Sequence, residues 1–79
     1  MEAWTITPIE QYVIDRVREY RLEKGMSQRE LARLLDLTDG VIGKIETPKE
    51  RAKYNISQLN EIAKIFKCSI KDFFPDEPL

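Results

Sequence analysis

Ser27-Gln28-Arg29-Glu30-Leu31-Ala32-Arg33-Leu34-Leu35-Asp36-Leu37-Thr38-Asp39-Gly40-Val41-Ile42-Gly43-Lys44-Ile45-Glu46 is the stretch on which the fold turns. Its first four residues form a capping box, a serine whose hydroxyl accepts a backbone N–H and a glutamate that reaches back to the serine's own N–H. Leu31, Ala32 and Leu35 then recur at helical spacing, so a short helix is predicted over 27–35. Asp36 stands where the chain must turn, and Leu37 is expected to drop back into the core. Thr38 reads as the next N-cap, opening a helix over 38–46 with Val41, Ile42 and Ile45 as its apolar stripe. Helices joined by two or three residues cannot lie side by side. They cross steeply, which is helix-turn-helix geometry. Taken alone, such a corner suits an ordinary helical bundle as well as a nucleic-acid reader.

The flanking sequence supplies the scaffold. Thr7-Pro8-Ile9-Glu10 combines an N-cap, a proline at the first helical position and a capping-box glutamate. Val13, Ile14, Val17 and Tyr20 follow as the buried stripe of that helix, and Gly25 stops it. Beyond Ile45, Pro48 closes the second short helix. A basic loop follows, Lys49-Glu50-Arg51-Ala52-Lys53-Tyr54, with Tyr54 expected to pack on the core. Asn55-Ile56-Ser57-Gln58 repeats the capping box with amides and opens a helix burying Leu59, Ile62, Ala63 and Phe66. Ser69-Ile70-Lys71-Asp72 caps a last short element carrying Phe73 and Phe74, and Pro75 ends it. The expectation is an all-α domain of five helices over residues 9–74, with an N-terminal arm (1–8) and a tail (75–79).

Composition narrows the function. A chain of 79 residues has room for one core and no second domain. Cys68 is the one cysteine and histidine is absent, so neither an internal disulfide nor a metal site is expected. Cys68 reads as a buried apolar thiol between Phe66 and Ile70. Without histidine no Ser/His/Asp set forms, no glycine-rich phosphate loop occurs, and carboxylates such as Glu19 and Glu23 fall on solvated faces. The expectation is a protein with no catalytic residues, no cofactor and no small-molecule ligand. No apolar run approaches the roughly 18 residues that cross a bilayer, and the N-terminus lacks a signal-peptide layout. A cytoplasmic protein with no membrane partner is expected. The net charge of −1 is unevenly spread: residues 16–53 carry ten Lys/Arg against seven Asp/Glu, while the ends are acidic. That distribution permits phosphate binding without demanding it.

The run Val17-Arg18-Glu19-Tyr20-Arg21-Leu22-Glu23-Lys24-Gly25-Met26-Ser27-Gln28-Arg29-Glu30-Leu31-Ala32 resembles the first two helices of phage-repressor and Cro-like regulators, the XRE family. The likeness continues through Leu35-Asp36-Leu37-Thr38, Val41-Ile42-Gly43-Lys44-Ile45-Glu46 and Leu59-Asn60-Glu61-Ile62-Ala63-Lys64, and ends at Lys71-Asp72-Phe73-Phe74. The resemblance implies a lambda-repressor-like DNA-binding domain, a transcriptional regulator acting on a double-stranded operator. It also implies a homodimer on two-fold-related half-sites. Gln28 occupies the position of a glutamine that bonds a phosphate and braces the recognition helix in similar proteins. Thr38 is expected to cap that helix and reach a phosphate. Asp39, Gly40 and Lys44 stand where the family reads bases, with Gly43 between them.

Here the chain departs from the family pattern. Asp39 repels phosphates, and its useful base contact is the cytosine amino group. Gly40 and Gly43 offer no side chain, so either the helix backbone approaches the groove floor closely or the surface serves a different partner. Lys44 is then the main side-chain contact. Lys49, Arg51 and Lys53 in the longer loop are expected phosphate contacts, each releasing about one counterion. Arg21 and Glu46 stand at positions that pair between the first and third helices in the family. The candidates for a dimer surface are Phe73, Phe74 and the tail, or the arm carrying Trp4 and Ile6, unless Trp4 and Ile6 merely cover one end of the core, which is the favoured reading of the arm.

Overall fold

All four capping boxes form, each with side chain and backbone bonded in both directions, in the computed structural model, which describes residues 5–79. They open α1 (Pro8–Glu23), α2 (Gln28–Leu34), α4 (Ile56–Phe66) and a 3-10 turn at Ile70–Phe73; α3 (Val41–Ile45) and a second 3-10 turn (Pro48–Glu50) lie between α2 and α4. Among the described residues the fold is all-α with four α-helices, and the expected fifth helix is the single turn Ile70–Phe73. Pro75 explains the shortfall, because the residue before a proline is pushed out of the α region. Phe74 accordingly sits extended at φ −112 and ψ 150.

Three helices end in the same way. The chain passes through a left-handed residue, and the next N–H returns to a carbonyl five residues back. After α1 this residue is Gly25 (φ 65), and Met26 N–H donates to the Arg21 carbonyl at 3.0 Å. After α2 it is Asp36 (φ 58), and Leu37 N–H donates to the Ala32 carbonyl at 2.8 Å. After α4 it is Lys67 (φ 57), with Cys68 N–H on the Ala63 carbonyl at 3.0 Å. The turn at Asp36 brings Leu37 back against the core, half-buried like Leu35.

The start of α3 differs from the sequence expectation. Thr38 does not cap it. The helix begins at Val41, and its N-cap is Gly40 in a left-handed conformation (φ 105, ψ −16) with no side-chain cap. Thr38, Asp39, Gly40 and Val41 form a turn closed by Val41 N–H on the Thr38 carbonyl at 3.3 Å. Its third residue is where a type II turn requires glycine. A glycine at this point favours the turn over another helical turn, and α3 shrinks to five residues.

α1 and α4 pack together, closed at one end by the Ile70–Phe73 turn, while α2 and α3 pack on each other. Val17, Leu31, Ile42, Ile62 and Phe73 are fully buried where these elements meet. Phe73 packs edge-on against Tyr20 (ring centroids 5.5 Å apart) and Phe66 (6.4 Å), joining α1, α4 and the last turn. That burial removes Phe73 from any dimer surface. Phe74 and Ile6 are half-buried against the core, and Trp4 lies outside the described residues. Cys68 is half-buried instead of fully buried, and desolvation still pushes its thiol pKa up.

The conformation of Gly40 yields a test with opposite signs for the two helix starts. Alanine at an interior helical position would stabilise by about 1 kcal/mol relative to glycine. In the left-handed region it costs roughly 1–2 kcal/mol. Gly40→Ala is therefore expected to lower the thermal midpoint of the domain by several degrees in a circular-dichroism melt. A raised midpoint would place Gly40 inside a helix.

Candidate nucleic-acid interface

The site is built around one buried carboxylate. Glu46, the C-cap of α3, keeps only 3% of its side chain exposed, and its partner Arg21 on α1 keeps 7%. Arg21 engages it in two parallel bonds, Nε to Oε2 at 2.9 Å and Nη2 to Oε1 at 2.7 Å. Such a fork is strong and fixes orientation as well as distance. The remaining guanidinium nitrogen donates to the Met26 carbonyl at 2.8 Å, in the turn between α1 and α2. One side chain thus ties together α1, the α1–α2 turn and the end of α3. Arg18, one turn earlier on α1, adds its charge from 3.7 Å.

Gln28 completes this anchor from the first position of α2. Its amide nitrogen donates to Glu46 Oε1 at 2.9 Å. To get there it crosses α3 at Gly43, where an added Cβ would stand only 3.1 Å from Gln28 Oε1. The missing side chain of Gly43 is therefore filled by Gln28. Gly40 lacks any such neighbour, with nothing beyond its two adjacent residues within 4 Å of where its Cβ would be. Behind the anchor Tyr54 is buried in the core. Its hydroxyl has no hydrogen-bond partner among the described residues, and burial first, then the Glu46 charge, raise its pKa far above the usual phenol value.

At the tip, Asp39 sits between two arginines of α2. Arg29 Nε lies 3.2 Å and Arg33 Nη2 3.5 Å from its Oδ2. These arginines are four residues apart and share one helix face. Sequence reasoning assigned neither of them a role. The (i, i+4) spacing was visible, but the reach across the turn to Asp39 depends on where Gly40 sends the chain. Thr38 and Lys44 are exposed, and Lys44 forms no ion pair among the described residues.

The loop divides. Lys49 lies in the Pro48–Glu50 turn and Arg51 follows in a left-handed conformation, both exposed. Lys53 turns away to the start of α1, where Nζ meets Glu10 Oε2 at 2.6 Å. Glu10 lies eleven residues before Arg21 on α1, about 16 Å along the helix axis. The Lys53 ammonium, aided by the Thr7 backbone N–H, holds the Glu10 carboxyl below its usual range. The structure thus gathers Arg21, Gln28, Gly43 and Glu46 in one place and Asp39 with Arg29 and Arg33 in a second. Lys53 joins neither. No group of three or more His, Cys, Asp or Glu suited to a metal occurs among the described residues, and no described helix is long and apolar enough to cross a membrane.

Two short helices joined by a tight turn, braced by a glutamine and an ion pair and with arginines beside the start of the second, define a helix-turn-helix domain. Residues 17–73 match the helix-turn-helix family model HTH_3, and the chain belongs to that family, in its XRE-type, lambda-repressor-like form. The HTH-type transcriptional regulator PuuR of Escherichia coli (strain K12) is 37% identical over 68 residues, covering 80% of this chain and 36% of PuuR. PuuR of Shigella flexneri matches to the same extent. The chain therefore spans about a third of the length of these relatives. Two solved structures share the fold: a hypothetical transcription factor, NHTF, from Neisseria (TM-score 0.72, 22% identity, 85% of this chain and 75% of that one) and apo-HppE (TM-score 0.70, 24% identity, 85% and 36%).

Breaking the anchor on one side is expected to be far worse than removing it whole. Arg21→Met leaves the Glu46 carboxylate buried without its fork and should cost about 3–5 kcal/mol in urea unfolding. Arg21→Met combined with Glu46→Leu should recover most of that loss. Equal losses in the single and double variants would show that burial of charge is not what the pair controls.

Proposed function

We propose that this chain is a sequence-specific DNA-binding transcriptional regulator, a repressor, that binds a double-stranded operator as a homodimer with α3 in the major groove. The observation that carries the reading is the Gln28–Glu46–Arg21 anchor. It holds α3 rigidly against the scaffold while leaving Asp39, Gly40 and Lys44 outermost. A rigid short helix with an exposed tip is what groove reading demands, because base contacts tolerate little positional error. Lys44 offers a charge to a base or phosphate. Gln28, Thr38, Lys49 and Arg51 are exposed as well and are the further candidates for phosphate contact. Arg29 and Arg33 supply positive charge next to the tip. With its ammonium on Glu10, Lys53 contributes to loop placement more than to phosphate contact. The same reading makes the chain a non-enzymatic cytoplasmic protein without cofactor or small-molecule ligand.

A protein-binding role for the same surface is the second reading. It is favoured by the exposed Asp39 carboxylate and by the overall net charge of −1.

Salt dependence separates the two. If the tip and the loop contact phosphates, affinity for DNA falls linearly on logarithmic axes, with a slope of about −0.9 per phosphate neutralised. A flat response, or no binding at low salt, would favour the protein partner. Within the DNA reading, Lys44→Ala should cost about 1–3 kcal/mol at the preferred site alone if Lys44 reads a base. An equal loss on every sequence would make it a phosphate contact.

A further inference from the structure

We propose that Asp39 selects cytosine at one position of each half-site, with Arg29 and Arg33 holding its carboxylate for that contact; this rests on the DNA-binding reading above. A lone carboxylate at the tip of a groove-reading element is repelled by a duplex carrying one negative charge per roughly 1.7 Å. Asp39 is not alone. Two guanidiniums lie within 3.5 Å, so the cluster as a whole is positive. Both contacts fall on Oδ2, and Oδ1 takes no hydrogen bond among the described residues although the side chain is 49% exposed. The next residue, Gly40, carries no side chain that could cover it. The cluster thus presents one exposed acceptor that neither arginine occupies.

The chemistry of the major groove decides what such an acceptor recognises. Guanine offers N7 and O6, both acceptors, and thymine offers O4 and a methyl group. Neither suits a carboxylate. Adenine offers an amino donor, but its N7 acceptor stands beside that donor and opposes a second oxygen. Cytosine presents the N4 amino group as its only polar feature in the groove, and it is the base to which Asp and Glu pair. The two arginines make this selection compatible with binding, because they offset phosphate repulsion while leaving the acceptor in place.

Selection of bound duplexes from a random library, performed with the full chain, tests the proposal. Wild-type fragments should share a position preferring cytosine by roughly fivefold or more, the lower end of what a direct base contact supplies. Asp39→Asn should shift that position to adenine, whose donor and acceptor match an amide. Asp39→Ala should leave it degenerate with the rest of the motif intact. Replacing Arg29 and Arg33 by glutamine should weaken both binding and the cytosine preference; an undiminished preference would remove the arginines from the proposal. Unchanged motifs in both Asp39 variants, or uniformly tighter binding of Asp39→Ala to all sequences, would overturn it and leave Asp39 as a source of repulsion. If the wild type enriches no motif, the DNA reading itself fails, and the proposal falls with it.

Discussion

The position of α3 depends on a charge pair removed from water. A five-residue helix has too few internal hydrogen bonds to hold its own direction, so that direction must come from packing and from its ends. Ile42 and Ile45 supply the packing, and the fork between Arg21 and Glu46 fixes the end. Taking two charges out of water is costly, and a buried pair often adds little net stability compared with apolar residues of similar volume. Its benefit here is geometric. Two parallel bonds from a planar guanidinium set the orientation of the C-cap, and the third guanidinium contact ties that orientation to the α1–α2 turn.

The two glycines at and within α3 do different work. Gly43 opens a path for Gln28, so a residue at the start of α2 reaches the far end of α3. Gly40 ends the turn in a conformation that side-chain-bearing residues rarely adopt, and thereby sets how far Asp39 leans toward α2. Both have jobs inside the fold. The close approach of backbone to DNA that the sequence alone suggested is not needed to explain them.

Much of the architecture was legible in the residues because it is local. A capping box needs only four consecutive side chains, and all four boxes formed where they were read. The stripes Val13-Ile14-Val17 and Leu59-Ile62-Ala63-Phe66 likewise pack as their spacing implied. Legibility failed where two local signals compete at one place. Thr38 is a good N-cap, but Gly40 two residues later is a better turn former, and the turn prevailed. Ser69 opens a helix that Pro75 leaves no length to complete. In the site, the Arg21–Glu46 positions came from family resemblance and not from spacing, since 25 residues separate them. The Asp39 cluster and the Lys53–Glu10 pair were invisible because each depends on where a turn sends the chain.

The aromatic group of Tyr20, Phe66 and Phe73 has a consequence for how the protein is made. Tyr20 belongs to the first helix and Phe73 to the last turn, yet their rings meet at 5.5 Å. A nascent chain synthesised from the N-terminus cannot complete this contact until the final turn has left the ribosome. Until then α1 exposes the face that the last segment will cover, an apolar surface open to chaperones or to other chains. Closure of the α1–α4 side of the core is therefore expected to wait until residues 70–73 have emerged, instead of proceeding helix by helix.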